Sequence, residues 1–130
     1  MARVALDADL LIAFLDSGDA QHERAVEELR PRLTAGDELL IGATVYAEVI
    51  VRPLQQGSAA TVDGFLDAAG VRFVAADRAI ARRAAGLRAE HAALRLPDAM
   101  SLATALVSDA DLLTLDKQLK RVSRQVHRRG

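Results

Sequence analysis

Short apolar runs alternate with longer stretches in which apolar residues recur every three or four positions. The short runs predict buried strands near residues 2–6, 38–41, 71–74 and 111–115. The longer stretches predict helices near residues 9–16, 20–33, 44–52, 58–69, 78–92 and 98–108. We expect Pro53 to end the third helix and Asp77 to cap the fifth. Beyond these elements, we expect a short helix opened by Asp116 and a fifth, edge strand near 124–127.

Strands separated by helices predict an α/β domain with a parallel four- to five-stranded sheet flanked by helices on both faces. The 130 residues suit a single domain over 1–130, because domains commonly contain about 100–200 residues and no linker divides this chain. In such sheets, ligands bind in the crevice beyond the C-terminal ends of the strands. The acidic residues can therefore be sorted by whether they follow or precede a predicted strand.

Composition excludes several kinds of site. The chain contains no cysteine and only three histidines, which excludes thiolate metal sites and disfavours a site built from histidines. No apolar run approaches the ~20 residues of a membrane span, and acids interrupt the apolar N-terminal segment. We therefore expect a cytoplasmic protein with no membrane partner.

Charge is distributed unevenly along the chain. Residues 1–116 contain 18 acids and 11 lysines and arginines, a net charge of −7, whereas residues 117–130 contain six bases and no acid. An acidic body with a basic C-terminal tail is typical of a protein with an anionic partner such as nucleic acid. A solvated tail that only aids solubility fits the same pattern, and charge alone leaves both interpretations open.

Four acids fall where a crevice at the C-terminal edge of the sheet would be. Asp7 follows the first predicted strand, Asp116 follows the fourth, Glu48 lies one turn into the helix after the second, and Asp98 begins a helix. Asp111 makes a contrast, because five strand residues at ~3.3 Å each put it ~16 Å from Asp116 at the opposite edge. We therefore exclude Asp111 and Asp109 from the candidate site.

Each of these acids also has an ordinary interpretation. Asp7, Asp98 and Asp116 suit helix N-caps, the commonest role of aspartate at such positions. Glu48 lies among apolar neighbours, which predicts a largely buried helix and a glutamate that needs a partner or a metal. Together, converging carboxylates repel one another by about 3 kcal/mol per close pair, unless a cation or protons offset the charge. An all-oxygen ligand set favours Mg²⁺ or Mn²⁺.

Four segments with these acids follow one another in a characteristic order. They are VALDADLLIAFLD at 4–16, ATVYAEVI at 43–50, LPDAMSLATAL at 96–106 and LLTLD at 112–116. This order resembles the PIN-domain family and, within it, the VapC-like toxins of bacterial toxin–antitoxin pairs. The resemblance covers most of the chain. It implies a parallel sheet flanked by helices and a metal-dependent endoribonuclease activity.

Carried over by position, the family's acidic quartet falls on Asp7, Glu48, Asp98 and Asp116, which would hold Mg²⁺ or Mn²⁺ or orient the attacking water. Thr114 matches a hydroxyl residue that orients a ligand, although it is equally an ordinary β-branched strand residue. Asp9 stands where the family often has serine or asparagine, and either joins the site or caps a helix. The basic residues expected to contact the RNA backbone are Arg52, Lys117, Lys120 and Arg121.

The resemblance also implies two protein partners. A VapB-type antitoxin would block the site with its C-terminal segment, and a second copy would complete a homodimer. The apolar segments 9–16 and 44–54 are candidate interface surface. Three other functions stay open: a PIN-like module that binds RNA or protein without cutting, a receiver-like signalling domain with an acidic pocket, and a haloacid-dehalogenase-type phosphatase.

Overall fold

A computed structural model describes residues 2–129 of the chain. Its centre is a parallel sheet of four strands in the order β3-β2-β1-β4. Residues Val4 and Ala5 of β1 pair with Leu39 and Leu40 of β2, and Leu6 pairs with Leu113 of β4. The strands are β1 (Arg3–Leu6), β2 (Glu38–Gly42), β3 (Arg72–Val74) and β4 (Asp111–Leu113).

Helices occupy most of the remaining described chain. They are α1 (Ala8–Leu15), α2 (His22–Ala35), α3 (Ala43–Gln56), α4 (Ala59–Ala68), α5 (Arg78–Glu90), α6 (Leu96–Val107) and α7 (Lys117–Arg129). As predicted, Asp77 caps α5, because its carboxylate accepts a hydrogen bond of 2.9 Å from the backbone N–H of Ile80. Among residues 2–129, no helix is long and apolar enough to cross a membrane.

Alternation along the strands builds two cores, one on each face of the sheet. Val4 and Leu6 point into a core shared with α1, α2, α3 and α4. Ala5 and Leu40 point to the other face, where small residues let α6 pack closely on the sheet. Beyond α6, the helices α5 and α7 complete a second core around Leu102 and Leu119. The protein is therefore the three-layer α/β fold that the sequence predicts.

The order of the strands fixes where a ligand crevice forms. The chain runs from β1 outward to β2 and β3, and then returns to place β4 on the opposite side of β1. The direction of strand addition reverses between β1 and β4, and ligands bind at such reversals, beyond the C-terminal ends of the strands. Asp7 and Asp116 follow these two strands. Asp111 begins β4 and is exposed at the other edge, as expected.

Two predictions of secondary structure were wrong: the end of α3 and a fifth strand. Helix α3 continues through Pro53, which removes one backbone donor, and ends after Gln56, where Gly57 adopts a positive φ of 75° and donates its N–H to the Pro53 carbonyl. The predicted fifth strand near 124–127 is absent from the described residues, since 117–129 form one helix whose buried residues Leu119, Val122 and Val126 recur at helical spacing. The sheet accordingly has four strands.

Candidate active site

Asp7 lies at the centre of the candidate site. Its backbone N–H donates to the carbonyl of Leu113 at 2.9 Å, so the end of β1 is held against the end of β4. Asp7 stands at the N-cap of α1, yet its side chain makes no capping hydrogen bond. The interpretation of Asp7 as an ordinary cap is therefore wrong, and its carboxylate points elsewhere.

Both carboxylate oxygens of Asp7 accept hydrogen bonds from buried hydroxyl groups. The Ser101 hydroxyl donates to Oδ1 at 2.8 Å, and the Thr114 hydroxyl donates to Oδ2 at 2.7 Å. Asp7 is only 5% exposed. Burial raises the pKa of Asp7, the nearby charge of Asp9 raises it further, and the two hydroxyl donors partly oppose the rise. The surroundings fix the orientation of this carboxylate without neutralising its charge.

Thr114 connects the acids that follow β1 and β4. Its side chain is fully buried, and its Oγ accepts a hydrogen bond of 3.1 Å from the backbone N–H of Asp116 while donating to Asp7. One oxygen of Asp116 accepts from the backbone N–H of Leu119 at 2.8 Å, which caps the start of α7. Asp116 thus acts as a helix cap through one oxygen, and its carboxyl group stays on the edge that Asp7 occupies.

Asp98 approaches the same edge from α6. It lies in the first turn of the helix, whose N-cap is Arg95, so Asp98 is not itself the cap. The Arg95 guanidinium lies 3.2 Å from Asp98 Oδ2, and its side chain is 75% exposed. Partial burial raises the pKa of Asp98, Arg95 opposes the rise, and the charges of Asp7 and Asp116 add to it. The negative charges of three elements therefore act on one another at this edge.

Glu48 completes the group from α3. The predicted burial of this residue was wrong: Val45 and Val49 face the core, while Glu48 is exposed on the neighbouring face of the helix. Its pKa is nonetheless raised, first by partial loss of solvent around the carboxyl group and then by the charges of Asp7 and Asp98. Glu48 thus lies within electrostatic reach of Asp7 and Asp98.

Asp9 borders this cluster from the first turn of α1. Its Oδ1 accepts from the backbone N–H of Leu10 at 2.6 Å and lies 3.3 Å from the Thr114 hydroxyl. The Thr114 proton is directed to Asp7, which is closer, so Asp9 contributes mainly negative charge. The carboxylate of Asp9 therefore combines a bond to the first turn of its own helix with a position beside Asp7.

The residues suit a divalent cation by their chemistry. Within residues 2–129, no three or more acidic, histidine or cysteine side chains are arranged as a ready-made ligand set. The carboxylates instead bond to hydroxyls, to Arg95 and to backbone N–H groups. Mg²⁺ commonly keeps several waters and binds through one or two carboxylates, so an open all-oxygen edge fits a hydrated ion.

The sequence matches the PIN domain family over residues 4–125. This chain belongs to the PIN domain family. The resemblance seen in its four acidic segments is confirmed at the level of the family, and no curated protein sequence gives a significant match.

Solved structures share the fold of this PIN domain. A toxin–antitoxin complex from Klebsiella pneumoniae has 26% identity and a TM-score of 0.69, over 87% of this chain and 86% of that chain. VapC20 from Mycobacterium tuberculosis, a sarcin–ricin loop cleaving toxin, has 17% identity and a TM-score of 0.71, over 91% of this chain and 93% of that chain. VapBC2 from Rickettsia felis, bound to a DNA fragment from its promoter, has 16% identity and a TM-score of 0.70, over 92% of each chain.

The basic residues expected to contact RNA are divided in this PIN domain. Arg52 lies 3.5 Å from Asp16 between α3 and α1, and Lys120 lies 3.8 Å from Glu28 of α2. Lys117 and Arg121 are exposed on α7. Two of the four side chains therefore have carboxylate partners inside the protein, whereas the two on the open face of α7 point to solvent.

Two residues of the site escape sequence reasoning. Ser101 was indistinguishable from an ordinary small residue of an apolar helix, although its place three residues after Asp98 puts both on one helical face. Arg95 was one of many arginines, and only the first turn of α6 brings it to Asp98. A hydroxyl residue one turn after a candidate acid was the signal available for Ser101.

Proposed function

We propose that this PIN domain is a Mg²⁺- or Mn²⁺-dependent endoribonuclease and the toxin of a VapBC-type pair. The observation that carries the proposal is that Asp7 and Asp116 follow the two strands between which strand addition reverses, with Asp98 and Glu48 within reach of the charges of this group. These acids come from four separate segments. The charges of Asp7 and Asp116 raise the pKa of Asp98, and those of Asp7 and Asp98 raise the pKa of Glu48. Folding tolerates such repulsion most readily where a bound cation offsets it.

Asp7, Asp98 and Asp116 would hold the cation, directly or through waters, with Glu48 as a further ligand or as the group that orients the attacking water. A divalent cation supplies a bound water of lowered pKa and stabilises charge on a phosphodiester. The hydroxyls of Ser101 and Thr114 hold Asp7 in a single orientation. Arg95 beside Asp98 is suited to contact a phosphate oxygen, because guanidinium groups bind phosphate through two parallel hydrogen bonds.

The toxin assignment draws on the Klebsiella complex, which pairs a chain of this fold with an antitoxin. We name the group of Asp7, Glu48, Asp98 and Asp116 the acidic edge. A groove of about 490 Å³ between α1 and α3 adjoins it, with Ile12, Val49 and Glu48 in its lining. An antitoxin segment with apolar side chains followed by an arginine suits this groove and the acids beyond it. Exposed Val51 and Leu54 on α3 would serve a homodimer.

The test is cleavage of total cellular RNA by the purified protein with Mg²⁺, Mn²⁺ or EDTA. Discrete fragments that require metal are expected from the wild type and from Asp111→Asn, which removes an acid at the opposite edge. No fragments are expected from Asp7→Asn or Asp116→Asn. Mass spectrometry checks that no antitoxin accompanies the purified protein.

Three results would contradict the proposal. Persistent cleavage by Asp7→Asn would point to a contaminating nuclease or a different site. Folded, antitoxin-free protein that cuts no RNA under either metal would favour a PIN-like module that binds without cutting. Labelling with acetyl phosphate would instead support a receiver or a phosphatase. Against the receiver, Asp77 is the cap of α5 rather than a free acceptor.

A further inference from the structure

The basic C-terminal segment forms an ordered helix with two distinct faces. Leu119, Val122 and Val126 of α7 are buried against α5 and α6. The opposite face exposes Lys117, Arg121, Arg124 and Arg128, which we name the basic stripe. These four residues are spaced four, three and four positions apart, so their side chains follow one line along the helix.

The basic stripe is free to meet an external anion. Among residues 2–129, no carboxylate lies within ion-pair distance of any of its four members, in contrast to Lys120, which pairs with Glu28. Its members line an open groove of about 410 Å³ together with Lys120 and Gln125. Like charges three or four residues apart on a helix repel one another, and bound anions would relieve that repulsion.

The stripe begins at the acidic edge. Lys117 follows Asp116 directly, and Arg128 lies 11 residues further on, about 16 Å along the helix at ~1.5 Å per residue. A polyanion that lies on the stripe is thereby led to the carboxylates. Residues 1–116 carry a net charge of −7 and repel RNA, so the attraction has to come from the tail or from a bound cation.

We propose that the basic stripe of α7 is the track that binds the RNA phosphate backbone and presents it to the acidic edge. This inference rests on the proposed ribonuclease function and deepens it by assigning the substrate-binding surface. Contacts of this kind set the position of the RNA without reading its sequence. Helix α7 contains no Phe, Tyr or Trp, and both ring nitrogens of His127 lie against backbone carbonyls, which suits recognition of the RNA backbone rather than of bases.

Two other anionic partners fit α7 less well. A membrane-surface helix buries its apolar face in lipid, but the apolar face of α7 is already buried in the protein. A protein interface needs apolar anchors near its centre, and the exposed large apolar residues lie on other elements. They are Val51, Leu54, Phe73, Leu96 and Val107.

The test measures RNA binding separately from RNA cleavage. A fluorescein-labelled, mixed-sequence single-stranded RNA is titrated with protein in EDTA, which prevents metal-dependent cleavage, over a series of KCl concentrations. A triple variant of the stripe is compared with a control that removes three exposed charges from α5. The stripe variant is Arg121→Gln, Arg124→Gln and Arg128→Gln, and the control is Arg78→Gln, Arg82→Gln and Arg83→Gln.

The stripe variant is expected to bind about tenfold more weakly, and its salt slope to fall by about two, since each lost phosphate contact on a single strand removes ~0.7. The α5 control is expected to keep the wild-type slope. Arg124→Gln alone, expected to lower the slope by ~0.7, keeps the test valid if the triple variant unfolds. Melting temperatures identify any such loss of fold.

Cleavage of total RNA in Mg²⁺ then separates the two proposals. If the wild type cleaves RNA and the stripe variant binds RNA as tightly as the wild type, the basic stripe is not the RNA-binding surface, whereas the proposed ribonuclease function is retained. Stripe-dependent binding without cleavage would overturn the ribonuclease and leave a binding surface. Equal losses in both triple variants, or binding of phosphatidylserine vesicles in place of RNA, would also overturn the stripe.

Discussion

Asp7 is a buried carboxyl group whose two oxygens are both occupied by neutral hydroxyl donors. Neutral donors orient a carboxylate but leave its charge in place, so the negative potential is directed toward the opening where Glu48, Asp98 and Asp116 also lie. An arginine in the place of Ser101 would have neutralised that potential. Hydroxyl groups therefore suit a site that attracts a cation.

Thr114 is predicted to be indispensable for this orientation. Thr114→Val keeps the shape of the side chain but leaves Oδ2 of Asp7 without its hydroxyl donor and the N–H of Asp116 without an acceptor. Urea unfolding should show a loss of about 1–3 kcal/mol, the usual cost of unsatisfied buried polar groups, and RNA cleavage should fall with it. Thr114→Ser retains the hydroxyl and should stay near wild type. Equal stability of the valine and threonine proteins would contradict the assigned role.

The raised pKa of Asp7 predicts how stability depends on pH in EDTA. Between its ordinary value of 3.8 and the raised value, the folded protein binds more protons than the unfolded chain. Stability therefore falls as the pH rises through this interval, and stays low above it. Glu48 and Asp98, whose pKa values are also raised, act in the same direction.

Melting temperatures across acidic to neutral pH check this expectation. Asp7→Asn should flatten the decline and melt higher than wild type at neutral pH, because it removes a buried charge. Asp111→Asn, at the opposite edge, should keep the wild-type dependence. An Asp7→Asn protein that melts lower than wild type at neutral pH would show that the carboxylate stabilises the fold.

At the scale of single residues, sequence reasoning reached as far as positions along the chain allow. Asp7 and Asp116 are set by the ends of strands, which hydrophobic pattern reveals. Thr114 lies just beyond Leu113, the last residue of β4, and donates a hydrogen bond to Asp7. A hydrophobic pattern does not locate the end of a strand to within one residue, so it could not assign this role to Thr114. Whether Glu48 is exposed depends on how α3 is rotated about its own axis, and each residue along a helix turns by about 100° about that axis.

At the scale of elements, one glycine determines how closely α6 approaches the sheet. Gly42 ends β2 at the point where Thr104 of α6 crosses it, and a Cβ atom there would lie 2.9 Å from the Thr104 hydroxyl oxygen. Helix α6 also carries Ser101 and Asp98. The close approach of α6 to the sheet therefore helps to set the positions of Ser101 and Asp98 relative to Asp7.

Gly42→Ala is accordingly predicted to destabilise the fold by about 1–3 kcal/mol, the range for overpacking in a tight core. Thr104→Ala removes the obstructing atoms, so the double variant should lose less stability than the two single variants together. Gly64→Ala provides the control: it lies in α4 with no atom within 4 Å of the added carbon, and alanine should stabilise that helix by about 0.5–1 kcal/mol. Additive losses in the double variant would argue against this contact.

The error at the C-terminus has a physical origin at the same scale. Residues 124–127 read in isolation alternate too briefly to distinguish strand from helix. The buried residues Leu119, Val122 and Val126 settle the question over a longer window, because their spacing of three and four is helical. The same window predicts the basic stripe, since Lys117, Arg121, Arg124 and Arg128 are spaced four, three and four residues apart and lie about half a helical turn from these apolar residues.

At the scale of the whole molecule, two of the five exposed large apolar residues lie together on α3. Val51 is 52% exposed and Leu54 is 64% exposed, and they lie three residues apart on one face. Neighbouring apolar side chains left in water favour association with another surface. The acidic edge and the basic stripe are polar, so this face is the part of the molecule best suited to a second copy.

We therefore expect the wild-type protein to be a dimer by light scattering coupled to size-exclusion chromatography. Val51→Asp combined with Leu54→Asp should yield a monomer with an unchanged melting temperature at low protein concentration, because both side chains face solvent in the single chain. Val107→Asp is the matched control, since Val107 is a similarly exposed valine (46%) on α6. That variant should stay dimeric. A dimer that survives the α3 substitutions would place the interface elsewhere, and a monomeric wild type would remove the dimer from the proposed function.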